Sequence, residues 1–511
     1  MLLSQLLTGL PCTRTTTGDA PISSVVYDSR RVTPGALFVA YRGFHSDGHR
    51  YITQAVARGA TAVIYEDASY DGQIAAPAAR VPNARVALAP LAARLLGYPG
   101  HQLRVVGITG TDGKTTTTAL TAAALDAAGR SSGFATTVDF KVGPRRWSND
   151  TRQSTPEAPE VQALLADMRA AGCSHAVLEA TSHALAASWG RLVGCGFDVA
   201  VLTNVTHEHL DFHGSVAQYR RDKAELFALL GETRSGAIKQ RKLAIVNADD
   251  PHHQQFLAAA PAYAERLTYA IHAPADVRAA EIIEDARGLR FVAHTPWGTQ
   301  ALQLRLAGSF NVSNALAALT VACAEGVPLA AACAALAAVP GVAGRMQRID
   351  AGQPFAVIVD YAHTPESFAK VFGVMRAATA GRMIAVFGSA GERDRAKRAL
   401  QGATAARHCA LVIITDEDPR HEDRHAIIAQ VAAGAAAASA AAGGTCTVEQ
   451  IPDRVAAIRA ALAAARPGDT VLLLGKGHEG CIIYGDTRVP WDEAAAARAA
   501  LADLGYTTVA T

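Results

Sequence analysis

The most chemically informative segment of this 511-residue chain is the glycine-rich run Gly107–Thr116, which reads GITGTDGKTT. It follows the apolar residues Val105 and Val106 and leads into a helix-prone segment, so it predicts a strand, a loop and the start of a helix. Glycines let a backbone come close to phosphate oxygens, and the N–H groups of a first helical turn point at an anion. Lys114 would neutralise phosphate charge, and the hydroxyl of Thr115 could hold Mg²⁺. The segment therefore predicts a nucleotide-binding loop.

The spacing of this loop departs from the general nucleotide loop, which has a glycine five residues before Gly113, where this chain has Ile108. A glycine-rich turn that only closes a strand–helix unit is the alternative interpretation. The adjacent Lys114 and Thr115, in register with the glycines, favour phosphate binding. The predicted nucleotide-loop residues are Gly110, Thr111, Asp112, Gly113, Lys114, Thr115 and Thr116.

Further polar residues follow two other apolar runs of the central region. Glu179 is a hard oxygen ligand suited to Mg²⁺, and His209 could supply a second metal position. One acidic residue after a strand is more often a helix cap or a solvated loop residue. If Glu179 and His209 lie beside Thr115 at one edge of the sheet, the three residues would instead form a metal site. The charged run 219–227 is typical, on its chemistry alone, of the solvated face of a helix.

Short apolar runs alternate with helical patterns along most of the chain. This alternation predicts the α/β class, with parallel sheets covered by helices. In such sheets ligands bind beyond the carboxyl ends of the strands, which is where the polar clusters fall. An alanine-rich segment that ends at Gly443 and Gly444 is predicted to be a helix. The predicted strands lie in VVGIT, AVLEAT, DVAVLTN, KLAIVNADD, AVIVDYAH, MIAVFGSAG, LVIITDED and TVLLLGKG.

The length exceeds what one hydrophobic core usually organises, so three domains are expected. Glycine and proline residues near 97–103 and 339–341 mark the breaks, which predicts domains at 1–100, 101–338 and 339–511. The net charge of +2, without a long basic run, gives no reason to expect nucleic acid or a membrane surface as partner. The eight cysteines include no C-x-x-C pair, which favours a reduced, cytoplasmic protein without a zinc site.

The motifs of this chain, taken together, resemble those of the Mur ligases in order and spacing. They are TGTDGKT, LEATSHAL, LTNVTHEHLDFHG, VNADD, GSFNVSN, VAGRMQ, VDYAHTPE, FGSAGERDRAKR and LLLGKGHE, and they span almost the whole chain. Segments 28–32, 35–40 and 47–49 are similar to the family's N-terminal uridine-nucleotide domain, which distinguishes the chain from the related folylpolyglutamate synthase. Within the family, the motifs look like those of members that add the third amino acid of the peptidoglycan stem.

The resemblance implies an N-terminal α/β uridine-nucleotide domain, a central P-loop ATPase domain with a parallel sheet, and a C-terminal Rossmann-like domain. It implies that ATP phosphorylates the D-glutamate carboxylate of UDP-N-acetylmuramoyl-L-alanyl-D-glutamate, and that the amine of a diamino acid attacks the acyl phosphate. Bringing two anions together requires cations, which Lys114 and Mg²⁺ would supply. The expected enzyme is a cytoplasmic monomer that acts on small molecules.

The resemblance also implies roles for individual residues. Thr115 and Glu179 would hold one Mg²⁺, His209 another, and Lys223 would react with CO₂ to become an anionic carbamate ligand. The expected catalytic residues are Lys114, Glu179, His209 and Lys223. The expected further ATP contacts are Asn311, Arg345, Asp360 and His363. The expected contacts to the UDP-muramoyl dipeptide are Ser29, Arg30, Asp47, Gly48, Ser154, Thr155, Ser182 and Arg191. The expected contacts to the acceptor amino acid are Arg393, Asp416, Asp418, Arg420, Gly475 and Glu479.

Two features depart from the family pattern. Arg191 lies two residues further from Ser182 than is usual, and the glutamine that commonly precedes this arginine is missing. Diaminopimelate-adding members show D-N-P-R in the acceptor loop, where this chain has Asp418 in place of the amide. A carboxylate there should favour the bare ammonium of L-ornithine or L-lysine over the ammonium and carboxylate of meso-diaminopimelate. Arg420 argues for diaminopimelate, and Asp418 could instead cap a helix.

Two other classes of function stay open at this stage. The second enzyme hypothesis is another amide ligase of the superfamily. Such a ligase would add glutamate to folate, or D-alanyl-D-alanine to the muramoyl peptide. The GERD, EDPR and GKGHE loops speak against it. The other hypothesis is a scaffold protein that binds muramoyl nucleotides without catalysis. The presence of all four expected catalytic residues argues against it: Lys114, Glu179, His209 and Lys223.

Overall fold

The computed structural model of the chain describes residues 1–43, 46–151, 153–206, 210–232, 241–285 and 288–506. The chain divides into two compact units. The first comprises Met1–Arg278, His294–Thr299 and Ser313–Cys333, and the second comprises Ala279–Ala293, Gln300–Val312 and the chain from Ala334 onward. The predicted domain boundaries at 100 and 338 stay a prediction.

The first unit begins with a five-stranded sheet in the order β1-β5-β4-β3-β2, in which only the β1–β5 pair is antiparallel. Its strands are β1 Thr13–Arg14, β2 Ser24–Val26, β3 Ala36–Val39, β4 Ala60–Tyr65 and β5 Ala78–Arg80. The helices of this segment are α1 Leu3–Leu7, α2 Ile52–Ala57 and α3 Ala84–Leu95, with short 3-10 helices at Ser29–Arg31, Gly48–Tyr51, Ala68–Tyr70 and Pro99–Gln102.

The larger sheet of the first unit has the order β13-β12-β11-β6-β10-β7-β8-β9. Its strands are β6 Arg104–Thr109, β7 Ser132–Ala135, β8 Asp139–Val142, β9 Arg145–Ser148, β10 His175–Glu179, β11 Val199–Leu202, β12 Leu243–Asn247 and β13 Glu265–Ala270. The strands from β13 to β7 are parallel, and β8 and β9 add antiparallel neighbours. The helices are α4 Lys114–Ala127, α5 Ala158–Ala170, α6 Ser182–Leu185, α7 Leu210–His213, α8 Val216–Ala228 and α9 His253–Ala259, with a 3-10 helix at Leu229–Gly231.

Three strands and two helices follow in the chain: β14 Val277–Asp285, β15 Gly288–Thr295, β16 Gly298–Leu304, α10 Phe310–Ala324 and α11 Leu329–Ala338. The second unit then forms a six-stranded sheet in the order β17-β18-β22-β19-β20-β21, which is parallel except at the β17–β18 pair. Its strands are β17 Gln347–Arg348, β18 Ala356–Asp360, β19 Met383–Phe387, β20 Leu411–Ile414, β21 Thr447–Gln450 and β22 Thr470–Leu474, and a separate hairpin is formed by β23 Cys481–Tyr484 and β24 Thr487–Pro490. Its helices are α12 Pro365–Ala378, α13 Ala396–His408, α14 Arg424–Ala441, α15 Arg454–Ala464 and α16 Glu493–Asp503.

These sheets confirm the predicted α/β class, and all eight predicted strands are present. The predicted alanine-rich helix is α14, which ends just before Gly443. Within the described ranges, no helix combines the length and the apolar character that crossing a membrane requires.

Helix α8 packs closely on strand β6 because the contact falls on a glycine. A Cβ atom at Gly107 would lie 2.5 Å from Leu226 Cδ1 and 2.8 Å from Phe197 Cε1, so a larger residue would push the helix away. The strands on either side of β6 are fully buried, and this packing is part of the hydrophobic core of the first unit. Gly107 therefore sets the distance between α8 and the loop that follows β6.

A buried ionic cluster fastens the amino ends of the central strands to the carboxyl end of α10. Glu325 accepts a hydrogen bond from Arg104 Nε at 3.0 Å and lies 3.2 Å from His175 Nε2. Arg104 also lies 3.5 Å from Asp198, which pairs with Lys242 at 3.3 Å. Burial raises the pKa of Glu325, but hydrogen bonds from His175 and Arg104 and the charge of Arg104 outweigh it and lower the pKa to about 2.

We predict that Glu325→Gln lowers the free energy of unfolding at pH 7 by about 3 kcal/mol, because it removes the carboxylate that accepts from both Arg104 and buried His175. Since the pKa of Glu325 is lower in the folded than in the unfolded chain, its contribution is complete above the ordinary value of 4.5 and is lost as pH falls toward 2. The difference between wild type and variant in urea denaturation should therefore shrink below that ordinary value. Glu265→Gln, which breaks an exposed pair with Arg241, is the control and should change little. Equal losses in both variants would contradict the assignment.

Candidate functional site

The predicted phosphate loop joins β6 to α4. Gly113 precedes the helix with φ of +83°, and a Cβ atom there would lie 2.3 Å from Asn314 Oδ1. The first helical hydrogen bond runs from the N–H of Thr117 to the carbonyl of Gly113, so the amides of the first turn lie outside the helical ladder. Lys114 Nζ donates to the carbonyls of Gly110 and Thr111 at 3.0 and 2.8 Å. The loop thus has the strand, glycine and helix arrangement of a phosphate site.

Asn204, at the end of the neighbouring strand β11, holds the backbone of this loop. Its carbonyl accepts from the N–H of Thr111 at 2.8 Å, and its side chain accepts from the N–H of Asp112 at 3.0 Å. Its amide group also donates to the carbonyl of Asp112 at 3.1 Å. A Cβ at Gly110 would collide with Thr203 Oγ1, so only glycine fits between the two loops.

Thr115 and Glu179 lie together at the carboxyl ends of the adjacent parallel strands β6 and β10. Thr115 Oγ1 donates to Glu179 Oε2 at 3.0 Å, and Thr137 donates to the same carboxylate from its N–H at 2.9 Å and its hydroxyl at 3.0 Å. A hydroxyl and a carboxylate converging beside a phosphate loop are hard oxygen donors, which is the ligand chemistry that Mg²⁺ takes. These two residues therefore fit the predicted metal site. His209 lies outside the described residues.

The prediction that 219–227 is only a solvated helix face is wrong. Arg221 and Glu225 are exposed on α8, but Tyr219, Asp222 and Lys223 are buried. Lys223 is 1% exposed, and its Nζ donates to the carbonyl of Gly110 at 2.7 Å. The charge pattern predicted the wrong exposure because both faces of α8 carry polar residues. Which of these residues are buried depends on how α8 packs on β6.

Several predicted substrate residues lie around the end of β10. Thr155 Oγ1 donates to the carbonyl of Glu179 at 2.7 Å, and Ser154 precedes it, half-buried. Arg191 Nη1 donates to the carbonyl of Thr155 at 2.9 Å. Ser182 Oγ lies 3.0 Å from His213 Nε2. The structure thus brings Ser154, Thr155, Ser182 and Arg191 to the same sheet edge as Glu179.

The remaining predicted substrate residues follow strands β2 and β3, which are parallel neighbours. Ser29 is buried in a 3-10 helix, while the neighbouring Arg30 is exposed and pairs with Asp28 at 2.8 Å. Asp47 caps the 3-10 helix that begins at Gly48. A Cβ at Gly48 would lie 2.8 Å from a backbone oxygen, so this glycine permits a tight turn. Both segments lie at the carboxyl edge of the first sheet, where ligands of α/β sheets bind.

The other predicted ATP contacts belong to the second unit. Asp360, at the end of β18, accepts from the N–H groups of Met346 and Ala362, both at 2.8 Å; burial raises its pKa against the opposing charge of Arg345. His363 Nδ1 lies 2.9 Å from the carbonyl of Tyr361. Asn311, near the start of α10, donates to the carbonyl of Ala307 at 2.7 Å rather than capping the helix. Within this unit, Arg345, Asp360 and His363 are grouped around one loop.

The predicted acceptor residues follow β19, β20 and β22, which are neighbours in the parallel sheet. Lys476, fully buried, donates to Asp418 Oδ1 at 2.9 Å and to Glu479 Oε2 at 2.6 Å. Asp418 also accepts from the N–H of Ile483 at 3.0 Å, and the helix that follows, α14, is capped by Asp423 instead. One ammonium is shared by two carboxylates, so Lys476 balances the charge of only one of them.

The other acidic residues of this loop have different surroundings. Asp416 accepts from Tyr484 Oη at 2.8 Å and pairs with Arg424. Glu417 is buried, and its Oε2, 3.3 Å from where a Cβ of Gly475 would lie, has no hydrogen-bond partner among the described residues. Burial raises the pKa of Glu417 despite nearby lysines. This carboxyl group is therefore buried with one oxygen that no described residue satisfies.

Two loops of the acceptor site are joined directly. The N–H of Gly391 donates to the carbonyl of Asp418 at 2.8 Å, and a Cβ at Gly391 would collide with Pro419. Arg393 is exposed two residues further along this loop. Arg420 adopts a left-handed φ of +53°, and its Nε is buried without a hydrogen-bond partner in the described chain.

Sequence reasoning missed several residues that shape these sites: Lys476, Glu422, Arg398, Arg85 and Trp189. Glu422 accepts from buried Arg398 at 3.0 Å and from the N–H of Glu392, and so holds the loop that carries Arg393. Lys476 could have been found from its position two residues after the apolar strand β22, because a buried lysine needs a carboxylate partner. The others have no sequence signal that separates them from surface residues.

The fold and the loop define a class: an α/β protein with a nucleotide-phosphate loop and an oxygen-donor pair beside it. Sequence models of three domains match the chain: "Mur ligase family, catalytic domain" over residues 21–97, "Mur ligase middle domain" over 108–322, and "Mur ligase, glutamate ligase domain" over 344–477. The chain belongs to the Mur ligase family and is an enzyme of the ligase class.

Its relatives include a UDP-N-acetylmuramyl-tripeptide synthetase of Roseiflexus sp. (strain RS-1), 68% identical over 95% of each chain. A UDP-N-acetylmuramoyl-L-alanyl-D-glutamate–2,6-diaminopimelate ligase of Geobacillus thermodenitrificans is 40% identical over 98% of this chain and 99% of its own. A solved structure of a ligase with the latter name has a TM-score of 0.66 and 31% identity, covering 95% of this chain and 96% of that one.

We predict that Gly113→Ala weakens ATP binding at least about 10-fold, because the added Cβ both collides with Asn314 and forces an L-residue into a left-handed conformation. Titration calorimetry with ATP measures the change. Gly129→Ala is the matched control, since Gly129 has φ of +72° but nothing within 4 Å of its Cβ position. Wild-type affinity in Gly113→Ala would contradict the phosphate-loop assignment.

Proposed function

We propose that this chain is the ATP-dependent ligase that adds a diamino acid to UDP-N-acetylmuramoyl-L-alanyl-D-glutamate in the cytoplasm, with L-ornithine or L-lysine as the favoured acceptor. One observation carries the proposal: a phosphate loop with a Thr115–Glu179 contact, in a chain 68% identical to a tripeptide synthetase over nearly its full length. The eight cysteines, none of which forms a disulfide, are consistent with a reducing compartment.

The proposed reaction must first make the D-glutamate carboxylate electrophilic, because a free carboxylate does not react with an amine. An oxygen of the D-glutamate γ-carboxylate attacks the γ-phosphorus of ATP, and ADP leaves. The acceptor amine then attacks the carbonyl carbon, phosphate leaves with the C–O bond electrons, and the nitrogen loses a proton. Lys114 and the amides of the first turn of α4 would bind the phosphates. Mg²⁺ held by Thr115 and Glu179 would neutralise phosphate charge.

Lys223 is proposed to act as a carbamate. Burial disfavours the charged form of a lysine, and the neutral amine is the form that attacks CO₂. Its position beside the carbonyl of Gly110 places it at the phosphate loop. A carbamate would add an anionic oxygen donor there, together with His209 as the family resemblance implies.

We predict that Lys223→Ala lowers kcat by about 100-fold or more, because an anionic group at the phosphate loop is lost. Millimolar acetate or formate should restore part of the activity by replacing that group. Phosphate release in the presence and absence of the acid measures both effects. Arg221→Ala, exposed on the same helix, should have wild-type activity that the acid does not change. Full activity of Lys223→Ala, or a loss that no acid rescues, would contradict the carbamate.

The preference for ornithine or lysine rests on the charges around Asp418. The ammonium of Lys476 is shared by the carboxylates of Asp418 and Glu479, so it balances the charge of only one of them. The excess negative charge suits an acceptor whose far end is a bare ammonium. A second acceptor, meso-diaminopimelate, is favoured by Arg420, whose unpartnered Nε could bind a far carboxylate.

We predict that Asp418→Asn lowers the ratio of kcat/KM for ornithine or lysine to kcat/KM for meso-diaminopimelate by about 10-fold, since it removes the charge that repels a second carboxylate. A ratio measured within one variant is not affected by a loss of folded protein. Asp486→Asn, at a fully exposed carboxylate of the β23–β24 hairpin, is the control. Wild-type turnover fastest with diaminopimelate and unaltered by Asp418→Asn would establish Arg420 as the dominant residue. No turnover with any of the three acceptors would contradict the proposed function.

A further inference from the structure

The turn that departs from the family pattern, between Ser182 and Arg191, carries Trp189. The Cζ atom of Arg85, which belongs to α3, lies 3.4 Å from the centroid of the Trp189 ring system. The same Cζ lies 5.1 Å from the centroid of Tyr41, and Arg191 Cζ lies 4.5 Å from Trp189. The Arg85 guanidinium is thus held by two aromatic rings, one of them supplied by the unusual turn.

The charge of this cluster is not balanced. Glu157 accepts from Arg85 Nη2 at 2.9 Å and also pairs with Arg191, so one carboxylate serves two guanidinium groups. The Nε atoms of Arg85 and Arg191 are buried and have no hydrogen-bond partner among the residues the structure describes. Glu157 Oε2 is likewise buried without a hydrogen-bond partner among these residues. The cluster therefore has two guanidinium groups to one carboxylate, which leaves it with an excess positive charge.

A polar cavity of about 190 Å³ opens beside this cluster. It is lined by Arg42, Gly43, Glu66, Asn83, Arg85, Ser188 and Trp189. On one side, Arg42 lies 3.7 Å from Asp47, and on the other, Trp189 contacts Arg191. The cavity therefore lies between two groups of candidate substrate residues, at Asp47 and at Arg191.

The other charged groups of the cavity are already paired. Glu66 accepts from the N–H groups of Arg42 and Ala84 at 3.0 and 2.8 Å, and the Arg42 side chain pairs with Asp67. Asn83 donates to the carbonyl of Ser188 at 3.3 Å and thereby fastens the turn to the start of α3. Arg85 shares its carboxylate partner with Arg191, so it is the cavity group whose positive charge is only partly balanced.

We propose that Arg85 binds an anionic oxygen group, phosphate or carboxylate, of the sugar-nucleotide substrate, and that Trp189 is the positioning residue that holds its guanidinium. This inference rests on the proposed function. A planar guanidinium stacks on an aromatic face and keeps its edge free to donate, which an ammonium cannot do.

The test compares steady-state KM values for UDP-N-acetylmuramoyl-L-alanyl-D-glutamate and for ATP. We expect Arg85→Gln and Trp189→Leu to raise the KM for the sugar nucleotide about 10-fold to 100-fold, as for loss of a charged hydrogen bond. The KM for ATP should not change, and Trp189→Phe, which keeps an aromatic face, should stay close to wild type. Trp297→Leu, at a 39% exposed tryptophan, is the control. If Trp189→Leu fails to fold, Arg85→Gln and Trp189→Phe still carry the test.

Calorimetric binding of UDP-N-acetylmuramic acid, which lacks the dipeptide, identifies the group. If Arg85→Gln weakens both ligands equally, Arg85 binds a group that both share, as the diphosphate is; if only the full substrate is weakened, it binds a dipeptide carboxylate. An unaltered KM for the sugar nucleotide, or an equal rise for ATP, would overturn the proposal. A wild-type KM in Trp189→Leu alone would overturn the role of Trp189. Failure of the wild-type enzyme to bind either nucleotide would instead contradict the proposed function.

Discussion

The first unit depends on one constraint: the backbone after β6 must pass between β11 and α8 without room for side chains. Gly107 lets α8 approach the strand, and Gly110 lets the loop lie against Thr203 and Asn204. Asn204 satisfies the N–H and carbonyl groups of the loop, which would otherwise be costly to bury. The same close approach brings Lys223 to the loop, and the neighbouring strand β10 brings Glu179. The candidate chemistry is therefore a consequence of backbone packing at glycine positions.

Two buried clusters use the same electrostatic arrangement with opposite sign. In the first unit, Glu157 is shared by Arg85 and Arg191, which leaves an excess positive charge. In the second, Lys476 is shared by Asp418 and Glu479, which leaves an excess negative charge. Sharing one ion between two partners compensates part of the free-energy cost of burying these charges. The two proposals rest on this charge: an anionic group of the sugar nucleotide at the first cluster, and the ammonium of the acceptor at the second.

Much of the fold could be predicted from the pattern of apolar residues along the chain. The apolar runs gave the strands, and the alternation with helices gave parallel sheets, because a parallel connection needs a helical crossover. The grouping of polar residues followed from the same rule, since the carboxyl ends of parallel strands share an edge. The environment of α8 could not be predicted this way. Its charged residues alternate around the helix, and burial of Asp222 and Lys223 depends on Gly107, Leu226 and Phe197, which come from separate segments.

The sequence by itself determined the α/β class, the phosphate loop and the family, because these depend on residue types at short, fixed spacings. Only the tertiary structure decided the state of the individual charges. For Asp418 the sequence left open a preference for an ammonium or a helix cap, and the structure bonds it to Lys476, which lies 58 residues further along the chain. Arg85 looked like one of many helix-surface arginines, and Trp189, from another segment, covers it. Pairing between distant segments is set by how sheets and helices pack, and no local spacing encodes it.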